Sequence, residues 1–400
     1  MILRFTRPAH LGRPVKRCRL PSISHFYSTS TPQSPALDLV PAPPYNVLFL
    51  GADRFSCEVL AKLYEARQGL IHSLTVVTMP DRSTGRRSLE VYRPPIRELC
   101  SDLNINCLPL PRDTLLKGWK PPPPFRFRSS TTSAATPSPH NLLVTASFGH
   151  LIPNSLLSSF LPLNTFNVHP SMLPKYRGSS PIQYSIANGD ADEGGAGMGV
   201  SVQELSRGKF DQGRILGQKQ VSVQPNRDFR QLEPLLAREG GDLLVSVLRD
   251  LAAHQANAHP QDSSLATLAP KITKATTRAR WSEKPATELA RFTRAFGHQH
   301  DLWSTQLLPA IPSRTVPTKP QSIQLRTSPT LVPLSRILTY SDPGTAELDR
   351  ATGNVVVRCR DAEAGLVIAE VKREGGKWVK AREWYNSLGK WAKEQGVVFE

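Results

Sequence analysis

Four hundred residues exceed what one ordinary hydrophobic core holds, so two domains are expected. Hydrophobic residues make up 39% of the chain, and no run reaches the apolar length of a membrane helix, which leaves no role for membrane association. Fifty Lys and Arg against 33 Asp and Glu give a formal net charge of +17, which favours a polyanionic partner such as nucleic acid.

The chain starts with Arg4, Arg7, Arg13, Lys16, Arg17 and Arg19, and its first acid is Asp38. Ser and Thr cluster between Ser22 and Thr31, and no long apolar stretch follows. Residues 1–40 therefore read as a disordered mitochondrial transit peptide, which implies the mitochondrial matrix. Residues 45–50 read as a first buried strand, followed by a turn at Gly51 and a helix through residue 67. A second strand is expected at 74–79, a helix at 96–104 and a short third strand at 106–109. This alternation predicts an α/β domain with a mostly parallel sheet.

The Pro and Ser/Thr tract within residues 118–140 is of low complexity and reads as a disordered surface insertion. Strands are expected at 142–146 and 165–168, and a helix at 182–187. Residues 199–205 and 215–223 read as an antiparallel pair around the Asp211-Gln-Gly213 turn, and 228–253 as a strongly periodic helix. The α/β domain thus spans 45–254, and 255–280 reads as a polar linker. Beyond it, one amphipathic helix at 284–296 precedes short β-prone runs at 322–325, 336–340, 355–360 and 366–371. Gly and Pro punctuate these runs, so 281–400 is expected to be a smaller β-barrel. A last helix at 384–391 carries aromatics expected in the core. The five scattered cysteines form no CxxC pair, so neither a disulfide framework nor a zinc site is expected, and no metal.

The stretch Asn167-Val-His-Pro-Ser-Met-Leu-Pro-Lys-Tyr-Arg-Gly178 concentrates reactive groups. Asn167 and His169 are two apart, so at a strand end they point to one side. An amide N–H suits an oxyanion, and an imidazole can donate or relay a proton. Asp211 offers a carboxylate to orient the imidazole or collect a proton, in a turn where Gly213 gives backbone freedom. Singly, each has a structural reading: Asn167 capping a turn, Asp211 making one, His169 packing at a strand end.

Together these motifs resemble the folate-dependent formyltransferase family. Residues 199–213 are similar to its Gly-Val-Thr segment and Asp-x-Gly turn, and 46–55 to its first strand and turn. Pro80-Asp-Arg-Ser-Thr-Gly-Arg-Arg87 and Ala269-Pro-Lys-Ile-Thr-Lys274 narrow the likeness to members acting on methionyl-tRNA. The resemblance implies a Rossmann-like domain followed by an OB-like, tRNA-binding barrel. It also implies formyl transfer from 10-formyltetrahydrofolate to the α-amine of initiator Met-tRNA. Asn167, His169 and Asp211 take the family's catalytic places. Phe148, Gly149, His150, Ile152, Ser171, Leu173 and Pro174 would line the folate, the first group largely through backbone. Arg82, Arg86, Arg87 and Arg177 would meet tRNA, and a monomer is expected.

Two stretches depart from the family pattern. Its first turn is Gly51-Ala-Asp-Arg-Phe55 here, and 192–198 is longer and richer in Gly. A formyltransferase for another amine, ending near residue 260, and an inert RNA-binding homologue are the alternatives. A nicotinamide dehydrogenase is disfavoured, because the first turn has one glycine where its fingerprint needs three.

Overall fold

The computed structural model describes residues 43–84, 90–126, 137–192, 197–307, 320–333, 342–361, 363–394 and 396–400. Expectations for residues 1–40 and for the strand at 336–340 lie outside them.

The first half runs β1 (Tyr45–Leu50), α1 (Arg54–Glu65), β2 (Ile71–Thr78), β3 (Arg82–Thr84), β4 (Glu90–Tyr92), α2 (Pro95–Asp102), β5 (Asn106–Pro109), β6 (Asn141–Ala146), α3 (Asn154–Leu157), β7 (Thr165–His169), α4 (Pro181–Asn188), β8 (Gly199–Glu204), β9 (Ile215–Gln220), α5 (Phe229–Arg249) and α6 (Leu251–Ala256). Seven strands form one sheet in the order β5-β2-β1-β6-β7-β8-β9. The pairings from β5 to β7 are parallel, and β8 and β9 add antiparallel to β7. Alternate residues of β1 serve opposite faces: Val47 and Phe49 enter one core, Leu48 and Leu50 another. Both faces are covered, so β6 is buried along its whole length, with Leu142, Leu143 and Val144 at its centre.

Local chemistry explains the element ends. Asp53 caps α1 by accepting from the Ser56 N–H at 3.0 Å. Asp228 and Gln231 form a reciprocal capping box at α5. The long helix expected to run through residue 253 ends at Arg249, because Asp250 leaves the helical region, and α6 restarts it. Glycines let α5 seat closely: a Cβ at Gly240 would lie 2.7 Å from Val168, and one at Gly241 2.7 Å from Lys62.

The second half contains α7 (Ala286–Phe296), β10 (Leu302–Leu307), β11 (Gln321–Pro333), β12 (Thr345–Leu348), β13 (Val355–Arg358), β14 (Ala364–Arg373), β15 (Val379–Lys380), α8 (Ala381–Ser387), α9 (Lys390–Glu394) and β16 (Val397–Phe399). β11 pairs with both β10 and β14, which closes β11-β10-β16-β12-β13-β14 into a six-stranded antiparallel barrel, with β15 appended. Its core is aromatic: Phe399 stacks on Trp281 and on Trp384 with ring centres 6.0 and 5.6 Å away. The helix expected at 384–391 is two, α8 and α9. Helix α7 serves both halves, with Leu289 in the barrel core and Phe296 in the α/β core. Arg294 adds two hydrogen bonds to Asp192, at 2.9 and 2.7 Å.

Two stretches expected to be featureless are built into the fold. In the Pro-rich insertion, Phe125 is 1% exposed and sits beside Phe160, while the Pro124 carbonyl accepts from Asn141. Residues 127–136 of the insertion lie outside the described ones. In the 255–280 stretch, His259 bridges Ile215, and the backbone of residues 267–269 pairs with Arg177. Both are held because their backbone and apolar groups find partners far away in sequence.

Candidate active site

The site forms where β1, β6 and β7 end side by side. The chain leaves β1 toward β2 on one side and returns to β6 on the other, so the sheet has a topological switch point there. Loops diverge at such a point and leave a crevice beyond the carboxyl ends of the strands.

Strand β7 delivers Asn167 and His169 to that edge, with His169 buried and Asn167 partly open. In the parallel register Thr145 lies beside Asn167, and its hydroxyl donates to the Asn167 carbonyl oxygen at 2.8 Å. That bond assigns the amide: Nδ2 then faces Asp211 Oδ1 at 3.3 Å. His169 Nε2 donates to the Tyr176 carbonyl at 2.9 Å, so the Nδ1 edge is left to face Asp211 Oδ1, 3.5 Å away.

Asp211 arrives from the turn before β9, in the left-handed region at φ 53°. The turn needs glycine two residues on, since a Cβ at Gly213 would meet the Glu204 carbonyl oxygen at 1.7 Å. The carboxylate also receives the Gln203 side-chain N–H at 2.9 Å and the Gly178 backbone N–H at 2.9 Å. Four groups thus converge on one anion, and the three expected catalytic side chains meet.

The folate-side expectations divide. Phe148 and Ile152 turn into the core, while Gly149, at φ 77°, and His150 are exposed at the end of β6. This leaves loop backbone beside the crevice, as a backbone-lined pocket requires. Ser171 is buried and uses its hydroxyl internally on the Lys175 carbonyl, at 2.6 Å. Leu173 is buried, with its N–H on Ser201 Oγ and its carbonyl on Gln218, and Pro174 follows it.

The arginines divide more sharply. Arg82 is exposed on β3, with its guanidinium 4.6 Å above the Tyr92 ring. Arg86 and Arg87 lie outside the described residues. Arg177, expected to face tRNA, is instead 9% exposed, and its Nε and Nη2 donate to Gln261 Oε1 at 3.0 and 2.8 Å. A charged loop residue turns inward here because a side-chain carbonyl from 84 positions away receives it.

Sequence reasoning passed over Thr145, Gln203 and Gln261. Gln203 could be reached through register, since the antiparallel pairing of β7 and β8 sets it opposite Asn167. Gln261 carries no local signal. Asp53 and Glu233 form an acidic pair elsewhere in the domain. Burial raises the Asp53 carboxyl, against the lowering effect of hydrogen bonds from Ser56 and Ser147. Burial, and then the Asp53 charge, push Glu233 up to about 7. Among the described residues, no three His, Cys, Asp or Glu side chains are grouped to hold a metal, and no helix is long and apolar enough to cross a membrane.

Comparison with known proteins follows the same division into halves. Residues 45–248 match the family described as Formyl transferase, and 271–389 match Formyl transferase, C-terminal domain. The chain is 28% identical over 351 residues to the mitochondrial methionyl-tRNA formyltransferase of Mus musculus, covering 86% of this chain and 78% of that one. The same figures hold for the Homo sapiens protein. It is 34% identical over 242 residues to the methionyl-tRNA formyltransferase of Syntrophus aciditrophicus (strain SB), covering 60% and 70%. Likeness to solved structures is looser: a sugar 3N-formyl transferase, WlaRD, aligns at TM-score 0.49 and 14% identity, over 81% of this chain and 97% of that one.

Proposed function

The chain belongs to the formyl transferase family, and on that premise we propose that it formylates the α-amine of methionyl-tRNA in mitochondria. The observation that carries the chemistry is the convergence of Asn167, His169 and Asp211 at the end of β7. The donor is a folate-derived formyl compound, 10-formyltetrahydrofolate in our reading. Bound at the switch-point crevice, it supplies an activated formyl carbon. The exposed backbone at Gly149 and His150 suits its ring system.

Each residue then has a role set by its surroundings. Asn167 Nδ2 has a second N–H besides the one facing Asp211, and it serves an oxygen on which negative charge grows. Thr145 holds that amide in orientation. His169, fixed by the Tyr176 carbonyl, turns its Nδ1 edge to Asp211 beside the reacting centre. Asp211 holds the imidazole and accepts the proton that the attacking amine loses, directly or through water; the bond from the formyl carbon to the folate nitrogen then breaks and that nitrogen takes the proton, releasing tetrahydrofolate. Removing one oxyanion donor typically costs about 10²–10³ in rate.

The barrel supplies tRNA affinity in this reading. Lys274 and Arg278 lie 4.7 and 5.6 Å from the Trp303 ring, a basic and aromatic patch suited to nucleic acid. Arg82 and its exposed neighbours Val91 and Tyr92 offer a second contact. The acid-free, Arg-rich start fits import into the matrix. The test is formylation by the purified protein, with 10-formyltetrahydrofolate as donor, of Met-tRNA, glycinamide ribonucleotide and an aminosugar nucleotide. Formyl-Met-tRNA as the dominant product supports the reading. Faster transfer to either small amine replaces it.

A further inference from the structure

The two matched family regions leave residues 249–270 uncovered, and Gln261 lies in that gap. Its side chain is nonetheless wired to the candidate catalytic carboxylate. The Arg177 guanidinium donates twice to Gln261 Oε1, which fixes the amide with its nitrogen toward the Asp211 turn. Gln261 Nε2 then faces three acceptors: the Gly213 carbonyl at 2.8 Å, the Asp211 carbonyl at 3.1 Å and Gln203 Oε1 at 3.2 Å. Gln203, which is 1% exposed, passes its own N–H to Asp211 Oδ1 at 2.9 Å. Its Oε1 also accepts from the Gly213 N–H at 3.3 Å.

We propose that Gln261 is a positioning residue for catalysis, a latch through which the connector holds the Asp211 turn in its left-handed conformation. Arg177, Gln261 and Gln203 form a one-way series of donors that starts at a cation and ends at the Asp211 carboxylate. Such a chain strengthens each donor in a buried setting. It also restrains a backbone that a non-glycine residue adopts only under constraint. Without the latch, the turn loses its side-chain anchors on the Asp211 and Gly213 carbonyls, and Asp211 drifts from His169 and Asn167. A displacement near 1 Å at a reacting group costs on the order of 10²-fold in rate.

The latch rests on the catalytic reading of Asp211, and the experiment separates the two. Steady-state formylation of Met-tRNA is measured for full-length wild type, Gln261→Glu, Asp211→Asn and the double variant, with melting temperatures. Gln261→Glu keeps a partner for Arg177 and removes the donating N–H groups. The expected result is a kcat lower by on the order of 10²-fold, unchanged KM for both substrates, and a double variant no slower than Asp211→Asn. Wild-type kcat in Gln261→Glu, with Asp211→Asn slow, overturns the latch alone. So does a loss that multiplies with that of Asp211→Asn. Wild-type kcat in Asp211→Asn overturns the catalytic reading and the latch with it. If Gln261→Glu melts early, Gln261→Met is scored the same way, and a rate loss that only tracks the unfolded fraction overturns the proposal.

Discussion

Two arginine-bearing loops follow parallel strands in this molecule, and they use the same side chain in opposite ways. In the 169–178 loop, Arg177 is buried and spends two donors on Gln261. In the β3–β4 hairpin, Arg82 is exposed and lies over Tyr92. Among the described residues, the hairpin is anchored at its base, where Asp81 meets Arg97 at 2.5 Å and Arg93 at 3.6 Å. The 169–178 loop is held along its length by His169, Ser201, Thr267 and Asp211. Location near a site does not decide an arginine's role, whereas the number of fixed acceptors around it does. A planar fork with its acceptors in place positions other groups, and one left in solvent is free for phosphate.

The largest effect expected from this contrast lies at the groups the rigid loop supports. Asn167→Ala and His169→Ala should each slow formylation by about 10²–10³ with tRNA binding intact. A well-folded variant turning over at the wild-type rate removes that residue from the mechanism. Next, Arg177→Ala should lower kcat and stability together, because Gln261 Oε1 loses its donors, at roughly 1–3 kcal/mol for an unsatisfied buried acceptor. If it instead raises only the KM for Met-tRNA, the contrast between the loops collapses. Smaller still, Arg82→Ala should leave kcat and melting temperature alone, raise that KM, and reduce the slope of affinity against salt by about 1. A salt series on Met-tRNA binding decides it.

The smallest effect concerns two half-buried titratable groups, Glu233 and His298. Glu233, pushed up to about 7 by burial and then by Asp53, stays protonated in the fold at pH values where the unfolded chain has ionised it. Stability from this group therefore falls between about pH 4.5 and 7, and Glu233→Gln should raise the melting temperature at pH 8 but not at pH 4.5. His298 runs the other way. It stacks on Phe229 at 3.8 Å and is pushed down to about 4 by burial and then by Arg230. The unfolded chain takes up a proton near pH 6.5 that the fold refuses, so stability is lost as pH falls from there toward 4. His298→Gln should flatten that acid limb in thermal melts.

Much of the α/β half was legible because its strands are buried on both faces and its helices are periodic. Asn167, His169 and Asp211 were legible from residue type, spacing and motif. What escaped depends on distant partners. Gln203 looks like an ordinary polar strand residue until β7 is set beside it. Gln261 sits in a polar stretch, and Arg177 reads as solvent-facing because nothing local announces the carbonyl that receives it. The barrel strands β12 and β16 are short, and β16 finds its partners β10 and β12 only far back along the chain. Phe125 was lost in a Pro and Ser composition that says nothing about the core beneath it.

The most direct test of the account is single-turnover formylation of Met-tRNA from 10-formyltetrahydrofolate by wild type and Asp211→Asn, with Met-tRNA binding measured on the same preparations. The account predicts equal binding and a transfer rate lower by about 10²–10³ in the variant. Equal rates, or a rate lost only in step with binding, contradict it.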